Sequence, residues 1–370
     1  MRLLILSAST GGGHDMRAYA LQDWWSNRGG VSQVDHPLEN TFWGYKAGCQ
    51  FYNFIQKKIP LFHKVYFNFL EYASIHRFPE TIIGAKKFSQ RVSGFCPDVI
   101  VSTHAHLNHG YFDLSRKSSQ KPPGFVVYCG ELADGNGFSR HWVNPDNDLF
   151  VAPFKEGCAA AEKRGMPDKK ILIGGPLLRR DFYGQNPKFN REEVLNRFGL
   201  KPNKPIYLLG TGANGVNHHL SFINAFNKAR IDCQIIALCG RNKKTFEQIN
   251  NISSNSYNRV VALPNLEASS MVDLLRVATW MLARPGAGLT TEAAVTGCPL
   301  IFDLSGGCMP QESNNLNFFK NRVGKMFTSS SASQIIELIK SEKNVPRLHI
   351  PLEDSPHILL NALSSLAERN

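Results

Sequence analysis

What this 370-residue chain lacks narrows its class first. No stretch approaches the roughly 18 consecutive apolar residues that would read as a membrane-spanning helix. The apolar start Leu3-Leu4-Ile5-Leu6 is too short for a secretory signal core and runs toward glycines and a histidine, not a small-residue cleavage site. The expectation is a chain that begins at Met1 and works in the cytoplasm. The eight cysteines (49, 96, 129, 158, 233, 239, 298 and 308) include no C-x-x-C pair, so neither a zinc site nor a redox dithiol is spelled out. Reduced core thiols are the expected state. Low-complexity tracts are missing, and 42% hydrophobic with 19% charged residues excludes the disordered and membrane-embedded classes. Acidic residues are in deficit, 30 against 42 Lys and Arg, and the net charge of +12 biases the surface toward nucleotides, nucleic acid or anionic membranes.

What is present is an alternation of short apolar runs with helical spacing. Leu3–Ala8, Val31–Val34, Val99–Ser102, Phe125–Tyr128, Leu149–Ala152 and Ile171–Ile173 read as strands separated mostly by helices, which implies a parallel sheet covered on both faces. After Pro205 the pattern restarts with Ile206–Leu209, Cys233–Leu238, Val260–Ala262, Trp280–Leu282 and Leu300–Asp303. Two domains are expected, 1–180 and 181–350, joined through the polar connector Leu177–Arg191. A terminal helix within 351–370 is expected to pack back on the first.

Each half carries a glycine loop after its first strand: Gly11-Gly12-Gly13-His14, and Gly210-Thr211-Gly212-Ala213-Asn214-Gly215. In doubly wound sheets ligands bind beyond the carboxyl ends of the strands, and glycine lets backbone approach a phosphate or sugar. The first loop lacks both a full G-x-G-x-x-G and a Walker lysine, so it is not a dinucleotide or P-loop signature. A plain strand-to-helix turn fits it equally. A stronger signal is Arg284-Pro285-Gly286-Ala287-Gly288-Leu289-Thr290-Thr291-Glu292, where glycines after a strand open a helix expected over Thr290–Thr296. The free N–H groups of such a helix form an anion site. Glu292, near that start, is placed to accept from ribose hydroxyls. Pro310-Gln311-Glu312-Ser313-Asn314-Asn315 offers amides and carboxylate to a sugar, or is an ordinary surface loop.

Residues 42–78 hold twelve aromatics in 37 positions, Trp43 among them, where the whole chain has 11%. Lys46, Lys57, Lys58, Lys64 and Arg77 accompany them, with Glu71 the one acid. Aromatic and basic side chains together suit the interface of an anionic bilayer; an aromatic core with solvated lysines is the competing reading. No nucleic-acid motif accompanies the charge. The run Thr103-His104-Ala105-His106-Leu107-Asn108-His109 approaches the H-x-H-x-D-H pattern of zinc metallohydrolases using His104, His106 and His109, but Asn108 stands where an aspartate would hold a second metal.

Taken in order, Ser7-Ala8-Ser9-Thr10-Gly11-Gly12-Gly13-His14 and Pro97-Asp98-Val99-Ile100-Val101-Ser102-Thr103-His104 resemble the opening domain of monogalactosyldiacylglycerol synthases and bacterial diacylglycerol glucosyltransferases. Trp142, Asp148–Ala152, Ile173-Gly174-Gly175-Pro176, Cys239-Gly240-Arg241-Asn242, the 284–292 segment and Gln311-Glu312-x-x-Asn315 follow in the same order, so the resemblance covers about residues 1–330. A more distant likeness is to the peptidoglycan N-acetylglucosaminyltransferase.

The resemblance implies an α/β protein of GT-B fold, two Rossmann-like doubly wound domains facing across a cleft. It implies inverting transfer from a UDP-sugar, galactose or glucose, to a diacylglycerol-type lipid at an anionic membrane surface on the inner face, without nucleic acid, metal or other cofactor. The alternative donor is UDP-N-acetylglucosamine with another lipid-linked acceptor. His14 becomes the candidate base, since an imidazole suits proton abstraction near neutral pH; substrate binding or helix capping fits the same position. Donor contacts carried over are Gly12, Gly13, Gly212, Arg241, Asn242, Gly286, Ala287, Gly288, Leu289, Thr290, Glu292, Gln311, Glu312 and Asn315. Trp43, Lys57, Lys58, His104 and Trp142 are assigned to acceptor and membrane. This chain departs from the family at Tyr128-Cys129-Gly130-Glu131-Leu132, where an Asp-Leu stretch is usual, and at Ala287-Gly288.

Overall fold

A computed structural model describes all residues except 11, 59–67, 69–70, 74–75, 185–188, 212–217, 306, 342–344, 348, 353–354 and 370, and omits the side chains of 52–53 and 55–58. The chain divides into two compact units. One comprises Met1–Arg179, Met309–Asn314 and Leu352–Asn370; the other comprises Arg180–Cys308 and Asn315–Pro351.

The first unit is built on a parallel sheet of β1 (Arg2–Leu6), β2 (Val31–Asp35), β3 (Val99–Ser102), β4 (Gly124–Tyr128), β5 (Leu149–Ala152) and β6 (Ile171–Ile173), ordered β2-β1-β3-β4-β5-β6. β1, β3 and β4 are near-continuous apolar runs because helices cover both faces of the sheet. Edge strand β2 alternates instead. Phe88, Phe125 and Phe150 are fully buried in the core, each stabilising by about 1.5–3 kcal/mol relative to exposure. The terminal helix His357–Arg369 packs on β3 and β4 of this unit, and Arg28 ties it down through Asn361 Oδ1 at 2.8 Å.

The second unit repeats the plan with β7 (Ile206–Leu209), β8 (Gln234–Gly240), β9 (Arg259–Pro264), β10 (Trp280–Ala283), β11 (Leu300–Asp303) and β12 (Phe327–Ser329), ordered β12-β11-β10-β7-β8-β9. Its core stacks Tyr207 on Trp280 with centroids 4.1 Å apart. β12 escapes a reading of apolar runs because only Phe327 of its three residues is apolar and Thr328 is exposed.

In both sheets the chain reverses direction at the first strand. β1 lies between β2 and β3, and β7 lies between β10 and β8. The loops after β1 and β3, and those after β7 and β10, therefore diverge to opposite faces and leave room beyond the strand ends, where doubly wound sheets bind ligands.

Candidate functional site

At the switch point of the first sheet, β1 ends at Leu6, and Gly12 takes the left-handed conformation (φ 83°) that opens helix Gly13–Asn27. A side chain at Gly12 would be strained; one at Gly13 would meet only Arg17 Nη1 at 3.5 Å, an ordinary contact. Gly11 lies outside the described residues. His14 enters the first turn of the helix with its Nδ1 2.6 Å from the backbone oxygen of Thr103, beyond β3. A carbonyl only accepts, so Nδ1 carries the hydrogen and Nε2 keeps the lone pair a base requires. Burial, then the Arg17 charge, push the His14 pKa down to about 4, so the ring is neutral at pH 7.

The ring of His104 stands edge-on to His14 at 4.5 Å. Its Nδ1 accepts from the His106 N–H, and its Nε2 donates to Thr10 Oγ1 at 3.0 Å. Trp142, 1% exposed, lies 6.0 Å from His14, so His14, His104 and Trp142 are brought together. Imidazoles continue outward: His104 to His106 at 5.6 Å, His106 to His141 at 4.7 Å, and His141 to His109 at 6.2 Å.

The described side chains give these histidines partners other than a metal ion. Both nitrogens of His104 are committed, and the Asn108 Nδ2 donates to the backbone oxygens of His141 and Trp142, while its Oδ1 is buried without a partner. Among the described residues no group of three or more His, Cys, Asp or Glu could hold a metal ion.

Glu131 stands out only in three dimensions. Burial pushes its carboxyl up to about 7, against the Arg17 charge and a hydrogen bond from Trp142 that favour ionisation. Arg17 donates to the Gly130 oxygen at 2.9 Å. It lies so close that a Cβ on Gly130 would fall 2.1 Å from its Cζ. The sequence signal that could have found Glu131 is its place in the stretch where this chain departs from the family it resembles.

Trp43 sits elsewhere, 77% exposed on helix Trp43–Lys58. Ala47, Phe51 and Phe54 share its exposure at spacings of four, four and three, one helical face. The opposite face buries Cys49, and Tyr45 packs against the same core. The side chains of Lys57 and Lys58 lie outside the described set.

In the second unit the helix after β10 begins at Ala287, three residues earlier than the glycines suggested. Gly286 caps it without a side-chain hydrogen bond, leaving first-turn N–H groups for an anion. One placement is corrected. Glu292 falls in the second turn and is 3% exposed, not at the helix start. The hydroxyls of Thr290 and Thr291 turn back onto the oxygens of Gly286 and Ala287, both at 2.6 Å. Ala287, Gly288 and Leu289 form the opening turn, and Gly210 packs so closely that a Cβ there would meet Leu289 at 2.9 Å. Arg284 braces the segment by donating to the oxygens of Ser305 and Gly307. Asn242 is an N-cap, its oxygen accepting from Thr245 N–H at 3.1 Å, beside exposed Arg241. Gly212 lies outside the described residues.

The 310–315 cluster is no surface loop but the start of helix Pro310–Val323. Glu312 Oε2 accepts from the Met309 N–H at 2.9 Å, and Asn315 donates to the Pro285 oxygen at 2.8 Å. Gln311 Oε1 and Asn315 Oδ1 are buried without a partner, the condition in which a polar ligand is expected to supply one.

A sequence profile of the family described as monogalactosyldiacylglycerol (MGDG) synthase matches residues 14–197, the stretch that holds His14, His104, Glu131 and Trp142. Over that stretch the chain is similar to the MGDG synthases. It is 24% identical over 353 residues to monogalactosyldiacylglycerol synthase 1 of Arabidopsis thaliana, covering 91% of this chain and 64% of the plant protein's length. It is also 24% identical over 393 residues to the processive diacylglycerol beta-glucosyltransferase of Bacillus licheniformis, covering 99% of this chain and 95% of that one. Among solved structures, a UDP-GlcNAc 2-epimerase from Neisseria meningitidis bound to UDP-GlcNAc superposes with a TM-score of 0.60 at 11% identity, covering 99% of this chain and 100% of that one. At that identity the likeness speaks for the fold, which is GT-B, as the resemblance to the MGDG synthases implies. Among the described residues no helix is long and apolar enough to cross a membrane.

Proposed function

We propose that the chain is a hexosyltransferase that moves a sugar from a UDP-sugar to a diacylglycerol-type lipid at a membrane surface, with inversion at the anomeric carbon. The observation that carries this reading is the His14 tautomer: a neutral imidazole with Nδ1 committed to Thr103 and Nε2 free to accept, in the segment that matches MGDG synthases.

In a single displacement the acceptor hydroxyl attacks the anomeric carbon, His14 Nε2 takes its proton, and the bond to the UDP oxygen breaks. Proton transfer of this kind contributes typically 10²–10⁴-fold. The leaving diphosphate gains negative charge, and we assign it to the N–H groups that open helix Ala287–Thr296, each charge there being worth about 0.3–1 kcal/mol. Gln311 and Asn315, with their unpartnered amide oxygens, are assigned to sugar hydroxyls. Transfer then needs no metal, and turnover in excess chelator is expected to match turnover without it.

The exposed face of Trp43, Phe51 and Phe54 supports a role at the lipid surface. Such a face and a chain of net charge +12 suit reversible docking on anionic lipid. The deciding experiment measures UDP release over UDP-galactose, UDP-glucose and UDP-N-acetylglucosamine, each with diacylglycerol in vesicles with and without anionic lipid. Release that depends on diacylglycerol is expected. Release driven equally by vesicles lacking it would overturn the acceptor, and preference for UDP-N-acetylglucosamine would overturn the hexose.

A further inference from the structure

We propose that His36 is a positioning residue for His14, acting through the buried carboxylate of Asp15. The proposal rests on the reading of His14 as the base.

Asp15 follows His14 in the first turn of its helix, and its carboxylate collects three donors from outside that helix. Ser7 Oγ donates at 2.7 Å, Ser9 Oγ at 2.9 Å and His36 Nε2 at 2.9 Å. Ser7 and Ser9 belong to the loop from β1 into the helix; His36 follows β2. Three pieces of chain are thus gathered on one carboxylate next to the base. The loop is fastened again where the Ser9 N–H donates to Glu39 Oε1 at 2.7 Å. The acceptor of His14 is fixed independently, since the Thr103 N–H donates to the Leu6 oxygen at 2.9 Å. One end of the His14–Thr103 bond is therefore held by the sheet, and the other depends on how Asp15 is held.

Of the three donors only His36 titrates, and its side chain retains 18% exposure against 9% for Asp15. The groups facing the pair come from every neighbouring element. Asp35 and Glu39 flank His36, the Tyr19 ring lies 6.4 Å away on the helix, and Cys49 stands beside Glu39. Arg91 neutralises Asp35 at 2.9 Å. The acids outnumber the cations, so the charged imidazole is favoured, and the Asp15 bond raises the His36 pKa above 6.5. Burial raises the Asp15 carboxyl, but the bonds from His36 and Ser7 outweigh it and bring the pKa to about 2. The charged pair is favoured below the His36 value and is lost as pH rises through it.

The test is histidine nitrogen NMR on the full chain across pH 5.5–9, with Asp15→Asn and His36→Gln. In the wild type His36 is expected to titrate above 6.5, and the His14 ring signals to shift with the same midpoint. Asp15→Asn should return His36 toward 6.5 and uncouple the two. If Asp15→Asn does not fold by circular dichroism, His36→Gln decides: it should move the His14 signals to their high-pH wild-type positions at every pH. Signals of His14 that ignore the His36 titration, or stay unmoved in His36→Gln, would overturn the proposal. In turnover, His36→Gln should lower kcat roughly 10- to 100-fold, the scale of a misplaced catalytic group, with UDP binding unchanged. His36→Arg, with a permanent cation, should lose the alkaline limb of the pH profile. Should the wild type transfer no sugar to any lipid, the functional reading falls, while the NMR coupling stands or fails by itself.

Discussion

The Nδ1 of His14 and the backbone oxygen of Thr103 lie 2.6 Å apart although 89 residues separate them in sequence. They meet because β1 and β3 are parallel neighbours, with Leu6 opposite Ser102, so the next residues of both strands emerge at one sheet edge. That register gives His14 a fixed tautomer with no carboxylate partner on Nδ1.

Removing the ring tests its role directly. His14→Ala is expected to lower kcat by about 10²–10⁴ while leaving the UDP dissociation constant, measured by calorimetry, within a factor of about two. Near-wild-type turnover in that variant would exclude His14 as the base.

The two glycines before His14 should behave differently. Gly12→Ala forces a Cβ into φ 83°, at a cost of about 1–2 kcal/mol. Gly13→Ala meets only the end of Arg17 and should cost less than about 0.5 kcal/mol, by denaturant midpoint. Equal loss in both would contradict the strain argument.

Acid should unfold the first unit. Burial holds His14, His76 and His109 down at about 4 and lowers His104 and His106 as well. Between about 4 and 6.5 the unfolded chain binds more protons at these positions, so stability is present above 6.5 and declines as pH falls. Each tenfold difference in proton affinity between the folded and unfolded chain is worth about 1.4 kcal/mol. Glu131 acts in the opposite sense. Its pKa is raised to about 7, so its contribution is complete below 4.5 and disappears as pH rises through 7. Urea midpoints from pH 4.5 to 8 should rise more steeply with pH in Glu131→Gln than in the wild type.

The exposed helix face should govern lipid partitioning. Replacing Trp43, Phe51 and Phe54 together by Ser is expected to lower vesicle binding at least tenfold, since burying each apolar side chain is worth about 1.5–3 kcal/mol. Folding should be unaffected, because these rings lie outside the core. Sedimentation with anionic vesicles measures it, and unchanged binding would assign the face another role.

The strands were legible because both sheets are parallel and covered, which turns β1, β3, β4, β7 and β10 into apolar runs bounded by glycine or polar residues. Helix starts were less so. Ala287-Gly288-Leu289 reads as loop because glycine is a poor helix former, yet the helix starts at Ala287, with Leu289 close against Gly210. The 310–315 cluster misled in the same way, its polar composition concealing a buried helical turn.

By itself the sequence determined the two-sheet α/β plan, the family resemblance and the choice of His14, since these depend on local periodicity and on motifs a few residues long. Only the tertiary structure decided the His14 tautomer, the raised pKa of Glu131 and the grip of His36 on Asp15. Each arises from a hydrogen bond or a burial between groups distant in sequence, and sequence spacing holds no record of which strand will lie beside which.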